Sequence, residues 1–489
     1  MGNGAHKKWS NCIGNQQVAP FRLLRPATLD EIVEIVKLAE SEDRKVRAVG
    51  SGHSFSDIAI TEDYLLDTHG LNRVLPLDDE VLKDRAKSPT LVEIECGITI
   101  AEVNNALDAL GLALINMGAH TVQTVVGALS TSTHGSGISL GSAASFVRSM
   151  VIVASGGRVY RIEPADGITD PAKFKASHSD IELVQDDDWF NSVVIGLGCM
   201  GVVYSVTVQV REKYWLKESR TLSNWTQVKA DLLKGDVLRE NRHYEVLVNP
   251  YEFAGDHSCL VTVRNEIPEP TDPDPEKKNR SHLSVGFSFF PHWLIRFTGN
   301  LISLKNRVLP GLIPRTIEDS LKGLDDEEYD AASYSVLDLG APNYVAAYSS
   351  ELALAVEGNV YIDAAEKIIE IARRNREAKN LYHTVPFSLR FVAKHDLYFS
   401  MMYGRETCMI EVPMIDPTNG GLDILRDVEQ ALIDLGARPH WGQINYLSGG
   451  RELIKRMYPM FDKWIAVRKV LNSSGVFNNK FSARCGFDA

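Results

Sequence analysis

Residues 196–210 read Gly196-Leu197-Gly198-Cys199-Met200-Gly201-Val202-Val203-Tyr204-Ser205-Val206-Thr207-Val208-Gln209-Val210. The first six positions have the spacing G-x-G-x-x-G. In a doubly wound dinucleotide fold that spacing opens a helix and seats a pyrophosphate at its N-terminus. Here the glycines lead into the opposite texture. Val202, Tyr204, Val206, Val208 and Val210 recur at period two, the signature of a strand. No acidic residue follows at a strand end about 20 positions on, where a ribose hydroxyl would need one. The segment predicts a glycine turn feeding a long strand, and it argues against the fold that its spacing invites.

Working outward gives a layered α/β or α+β pattern. Upstream, Ser155-Gly156-Gly157 separates two apolar runs, 147–154 and 158–162, as a hairpin would. Residues 91–96 alternate as a strand and end at Gly97. Thr99 with Glu102 then forms a capping-box pattern, Val103, Ala106, Leu107 and Leu110 make a helical stripe, and Gly111 stops it. Thr28 and Glu31 repeat the capping pattern ahead of Ile32, Ile35, Val36 and Ala39, and a short strand at 45–49 ends in Gly50. After residue 213 the texture changes. Residues 266–280 are rich in Pro, Asp, Glu and Lys and predict a solvated insertion. A helix at 363–379 and strands at 388–392 and 408–412 follow.

A chain of 489 residues predicts two domains. A net charge of −12 argues against a broad nucleic-acid surface. The six cysteines are scattered with no C-x-x-C pair, which fits neither a disulfide framework nor a zinc site; no metal site is predicted. The first residues lack the apolar core of a signal peptide, and His6 breaks the myristoylation pattern. With the acidic charge, this predicts a cytoplasmic protein. The most apolar run, 285–304, contains His292, Arg296 and Asn300, so it reads as a buried helix or an interfacial patch. Peripheral membrane contact is compatible with it.

Four segments carry chemistry. In Arg47-Ala48-Val49-Gly50-Ser51-Gly52-His53-Ser54, two glycines allow close backbone approach, and successive N–H groups form a nest suited to a diphosphate. A tight surface turn with a polar His is the plain alternative. Gly127-Ala128-Leu129-Ser130-Thr131-Ser132-Thr133-His134-Gly135-Ser136-Gly137 packs small and hydroxyl residues that can wrap a phosphate or a flat ring. The 196–201 glycines permit close backbone contact with a ligand. Arg438-Pro439-His440-Trp441-Gly442-Gln443 offers His, Trp and Gln to orient a hydroxylated substrate, or else a packed aromatic beside a satisfied His.

Together, and in this order along nearly the whole chain, these segments resemble the vanillyl-alcohol-oxidase-type flavoproteins, in the sugar-lactone and alditol oxidase branch. Gly52-His53-Ser54 resembles the loop whose His bonds to the flavin 8α-methyl. Thr133-His134-Gly135-Ser136-Gly137 resembles the second FAD loop. Gly196-Leu197-Gly198 with Gly201-Val202-Val203 resembles a GLGxxGVV run, His440-Trp441 an HWxK motif, and Gly475-Val476-Phe477-Asn478-Asn479 a closing G-x-F-x-N segment.

The resemblance implies an α+β architecture: a two-subdomain FAD-binding domain and a cap with an antiparallel sheet flanked by helices. The expected division is a tail at 1–15, an FAD-binding domain at 16–213, a cap at 214–437, and a segment at 438–489 returning to the FAD domain. FAD, covalent through His53, would contact Arg47, Gly50, Ser51, Gly52, His53, Ser54, Gly127, Ser130, Thr133, His134, Gly135, Gly137, Gly198 and Val202. Glu357, Arg390, His440 and Gln443 would form the catalytic set, with Arg405 a weaker candidate. Arg390 also stands on its own reading, because an Arg among apolar strand residues needs partners. The implied reaction removes a hydride from a CH–OH carbon of an aldono-1,4-lactone to flavin N5, with oxygen or another acceptor taking the electrons. Alditols, a larger sterol-like alcohol, or flavin binding without turnover are the alternatives. Gln443 departs from the family Lys: it keeps a donor and loses the charge. Gly127-Ala128 would cover the flavin edge where oxygen reacts, and Ala hinders it more than Gly.

Overall fold

The computed structural model describes residues 8–272, 309–338 and 347–488. Two sheets and a helical layer make up the N-terminal half. Strands Arg22–Leu24, Tyr64–Asp67 and Val46–Val49 lie side by side in that order, all parallel. Helix Leu29–Ser41 covers them with Ile32, Val36 and Ala39. Thr28 caps it by accepting from the Glu31 N–H at 3.2 Å, while the Glu31 carboxylate takes the Ala27 N–H, one residue short of a full capping box. The second box closes fully: Thr99 and Glu102 exchange both bonds ahead of helix Ile100–Ala109.

The second sheet is built around the strand Val202–Glu212. Val147–Val153 pairs with it on one side, and Leu91–Glu95 and Leu112–Leu114 on the other, all antiparallel. Helix Asp187–Val193 precedes the 196–201 glycines, which open into this strand and not into a helix. One detail departs from strict alternation. The register shifts between Val203 and Ser205, so Tyr204 leaves the core and its hydroxyl donates to Glu95 at 3.3 Å.

The C-terminal half contains an eight-stranded antiparallel sheet. Its order is Asp326–Ala332, Trp215–Asn224, Asp256–Ile267, His243–Phe253, Phe387–Val392, Thr407–Ile415, Ala347–Ala355 and Arg438–Pro439. Alternation gives this sheet two unlike faces. Val246, Val261, Leu389, Ile410 and Leu352 point to one face, where helices Trp225–Lys234, Val360–Lys379 and Gly421–Ile433 bury them. Glu218, Arg264, Glu245, Arg390, Glu411 and Glu351 occupy positions of the opposite phase, one on each of six successive strands.

After the edge strand Arg438–Pro439, the chain leaves this sheet for the first core. Phe461, Trp464, Val476, Phe477 and Phe481 pack there with Ile32, Val46 and Tyr64. Phe399, on the connection between two cap strands, stacks on Trp464 at 4.1 Å and on Trp441 at 5.7 Å and ties the halves together.

The expected free tail is partly folded. Trp9–Ser10 pairs with Gln17–Val18 as a hairpin, because Asn11 bonds across the turn to Asn15 and Gln16. The expected insertion at 266–280 starts late, since Glu266 and Ile267 finish a strand. Most of it, and all of the apolar run 285–304, lies outside the described residues. Among the described residues no helix is long and apolar enough to cross a membrane, and all six cysteines are free thiols.

Candidate functional site

A cavity of about 1360 Å³ lies between the glycine loops and the charged face of the cap sheet. It exceeds the ~300–1,000 Å³ of an ordinary small-molecule pocket, as a dinucleotide plus a substrate requires. Two chemically different ends meet in it.

The first end is made by the chain leaving strand Val46–Val49. Gly50, Ser51, Gly52, His53 and Ser54 all line the cavity. Gly50 has no room for a side chain, since a Cβ would meet Thr124 Oγ1 at 2.0 Å. Gly52 takes φ +68°, which favours glycine. Among the described residues no protein acceptor takes the N–H groups of Ser51 to Ser54. Such a run of unanswered amides fits an anionic diphosphate. The His53 imidazole is held down to about 4, by burial first and by His120 second, so it is neutral near pH 7 with a free lone pair. Together these features fit FAD.

Gly127, Ser130, Thr133, His134 and Gly198 reach the same cavity. Four expected contacts do otherwise. Arg47 lines the wall, but its guanidinium donates to the carbonyls of Ile58, Leu197, Gly198 and Phe477, so it shapes the loops and holds no anion. Gly135 sits against Met117 O, where a Cβ would come to 2.3 Å, and Gly137 bridges to Val392 of the cap sheet. Val202 points into the core, and its neighbour Val203 faces the cavity instead, as period two dictates.

The second end is made of side chains from strands. Arg390 lies between two carboxylates, with Nε 3.9 Å from Glu245 and Nη1 3.6 Å from Glu411. Both distances exceed a hydrogen bond, so its donors stay available to the cavity. Glu411 accepts from Ser349 Oγ at 3.0 Å and from Gln443 Nε2 at 3.3 Å, and Ser349 also donates to Gln443 Oε1. Arg264 backs the group, donating to Glu218 at 2.6 Å and pairing with Glu245 at 2.8 Å.

Glu351 joins the two ends. Its Oε1 is 3.1 Å from His134 Nε2, and its Oε2 is 3.9 Å from His440 Nε2. Burial raises the Glu351 carboxyl, but His134 outweighs this and holds it at about 2. Burial likewise opposes charge on His134, yet Glu351 and the Gly135 carbonyl raise it above its ordinary value. His440 is the contrary case. Burial lowers it to about 4, and its Nδ1 accepts the Gly442 N–H at 3.0 Å, so its own proton sits on Nε2. Both ring nitrogens of His134 face acceptors, Gly135 O at 2.7 Å and Glu351 Oε1 at 3.1 Å, an arrangement that favours its protonated form, whereas His440 is a neutral donor.

Glu357 does not belong to this cavity. It lies exposed on a turn after strand Ala347–Ala355, and Glu351, six residues earlier on that strand, is the carboxylate that enters. Arg405 also stays out, donating to Ala353 O and Gly436 O. Glu351, Ser349, Glu411 and His120 line the cavity and were missed from sequence. A signal existed for two of them: Glu351 and Glu411 are carboxylates inside apolar strands, the same anomaly that singled out Arg390.

Comparisons with known proteins agree with this geometry. Residues 20–163 match an FAD binding domain, and residues 206–485 match the D-arabinono-1,4-lactone oxidase family. The L-gulono-1,4-lactone dehydrogenase of Mycobacterium tuberculosis is 28% identical over 485 residues, covering 97% of this chain and 98% of that protein. The L-gulonolactone oxidase of Scyliorhinus torazame is 27% identical, covering 96% of each. Cholesterol oxidase from B. sterolicum superposes with a TM-score of 0.74 at 16% identity over 98% of this chain and 96% of that one, a likeness of fold alone. The chain binds FAD and, as a flavin-dependent oxidoreductase, belongs to the D-arabinono-1,4-lactone oxidase family.

Proposed function

We propose that the protein oxidises a CH–OH group of an aldono-1,4-lactone and that dioxygen accepts the electrons as hydrogen peroxide. The observation that supports this reading is the placement of Arg390, Glu411, Ser349 and Gln443 across one cavity from the His53 loop. FAD, when bound, supplies the hydride acceptor at N5.

The chain's own groups do the rest. Arg390 offers donors to the lactone oxygens, and Glu411 and Gln443 offer an acceptor and a donor to ring hydroxyls. His440, carrying its proton on Nε2, orients an oxygen as a donor; it is not set up as a base. His134, charged against Glu351, places fixed positive charge beside the ring site, the kind of preorganised charge that favours an anionic reduced cofactor. His53, neutral and cavity-facing, is positioned for a covalent bond to the cofactor. The polar lining at the cap end favours a small hydroxylated molecule over a sterol.

The test is an absorption spectrum with substrate. Gulono-, galactono- or arabinono-1,4-lactone added without oxygen should bleach the flavin, and air should restore it with release of peroxide. Bleaching by an alditol or sterol and by none of the lactones would overturn the substrate assignment. Restoration only by an added dye would overturn oxygen as acceptor. Acid precipitation should leave flavin in the protein pellet, and His53→Ala should move it to the supernatant.

A further inference from the structure

The hairpin of residues 9–18 grips the His53 loop through the loop's carbonyls. Cys12 N–H donates to Gly52 O at 2.9 Å. Asn11 Nδ2 donates to Ser54 O at 3.0 Å, and the side chains of Asn15 and Gln16 donate to Phe55 O at 2.8 and 3.0 Å. Three carbonyls of one short loop are therefore all turned toward the hairpin.

Peptide geometry converts that into a statement about amides. In a planar trans peptide, the C=O of one residue and the N–H of the next point in opposite directions. Fixing Ser54 O on Asn11 should swing the Phe55 N–H away, and that group meets Gly442 O at 2.6 Å. Fixing Phe55 O should do the same to the Ser56 N–H, which also reaches Gly442 O, at 3.3 Å. Fixing Gly52 O turns the His53 N–H away in the same manner. That amide has no protein acceptor among the described residues, and His53 lines the cavity.

Asn11 is the centre of the grip. It is buried, at 5% exposure, and its Oδ1 accepts the Gln16 N–H at 3.1 Å while its Nδ2 reaches Ser54. Trp9, Cys12, Ile13 and Gln16 of the same hairpin form part of the cavity wall.

We propose that the hairpin of residues 9–18 pins the 52–56 loop, against Gly442 on its other side, so that its free amides face the cofactor, with Asn11 as its positioning residue. This rests on the assignment of the 50–54 loop to FAD. Asn11 touches neither the reacting atoms nor the proposed substrate groups; it acts through the peptide planes of residues 52–56.

The experiment uses full-length protein carrying His53→Ala, so that no covalent bond can retain the cofactor. The protein is loaded with FAD and diluted, and release is followed by the rise of flavin fluorescence. Asn11→Asp keeps the acceptor for the Gln16 N–H and loses the Nδ2 donor both to Ser54 O and to Asn15 Oδ1. It should speed release at least about tenfold, the size expected for the loss of the buried bond to the loop. Asn15→Ala, at an exposed position, should speed it by a smaller factor while the thermal midpoint of the apoprotein stays at the parental value. Parental release rates in both variants would overturn the proposal. A His53→Ala parent that takes up no FAD, beside a wild-type chain that does, would assign retention to the imidazole and overturn the role of the amides. A wild-type chain that takes up no FAD would overturn the FAD assignment itself, and this proposal with it.

Discussion

The two ends of the cavity are built from different materials. At the His53 end the working groups are backbone amides on a loop, and the residue types matter mainly for the conformation and clearance they allow. At the cap end they are the side chains of Arg390, Glu411, Glu351 and Ser349, held on strands whose other face is mostly apolar. The first end suits an anionic cofactor, since backbone donors read only charge and shape. The second suits discrimination, because each strand can exchange one inward residue without disturbing the core behind it. Glu351 belongs to both, through His134 on one side and His440 on the other.

The strongest way to break this division is to remove that shared group. Glu351→Ala leaves His134 without its buried counter-charge and should cost about 3–5 kcal/mol of stability, read as a lower urea midpoint. A loss under about 1 kcal/mol would mean that the ends are independent. Arg390→Met tests the cap end alone. It should lower kcat/KM for a lactone about 10²–10³-fold while flavin content stays unchanged, the loss typical of a donor aimed at a reacting oxygen. Loss of flavin in that variant would erase the distinction between the ends.

Acid stability sharpens the contrast between the two histidines. His440, His383 and His395 are each held by burial at about 4, and His243 at about 3. In the unfolded chain they take up protons near 6.5. The stability they contribute is present above that value and falls as pH drops toward 4, by up to roughly 1.4 kcal/mol per pH unit for each proton. His134 has the opposite sign. Its raised value contributes stability below 6.5 that is lost as pH rises through the folded-state value. Urea midpoints should therefore fall from pH 6.5 to 4.5, and His440→Gln should flatten that slope while His134→Gln should not. The smallest effect is expected from Gln443→Lys. Its ammonium would engage Glu411 Oε1, withdrawing an acceptor from substrate hydroxyls, and should raise KM about threefold to tenfold with flavin content constant.

Sequence reading succeeded where a local rule decides the outcome. Thr99 with Glu102, the Ser155-Gly156-Gly157 hairpin and the glycines ahead of Val202 are short-range patterns, and each folds as its pattern requires. The His53 loop was legible for the same reason. Glu357 failed because its assignment rested on a neighbouring helix and not on strand phase. Counting alternation along 347–355 places Glu351 on the face that Ser349 shares, but which face meets a cavity depends on pairing with residues 52 to 87 positions away in sequence. The role of Arg47 was not legible, because only the folded chain brings the carbonyls of Leu197, Gly198 and Phe477 within reach of its guanidinium.

The charged residues across the cap sheet have a consequence for how that sheet finds its pairing. Glu218 stands directly opposite Arg264, and Glu245 directly opposite Arg390. A slip of one residue between either pair of strands would carry a charge into the aliphatic layer under the helices and bring apolar side chains to the cavity. A slip of two would keep the faces but separate the partners. Only one alignment satisfies both layers, so these ionic groups, of which Arg390 also lines the cavity, act as alignment marks during assembly. The exception is Glu351 opposite Glu411, a like-charged pair that opposes its own alignment and needs Arg390, His134, Ser349 and Gln443 around it. Two seams of the sheet thus carry opposed charges on the ionic face, and the seam between Glu351 and Glu411 carries like ones.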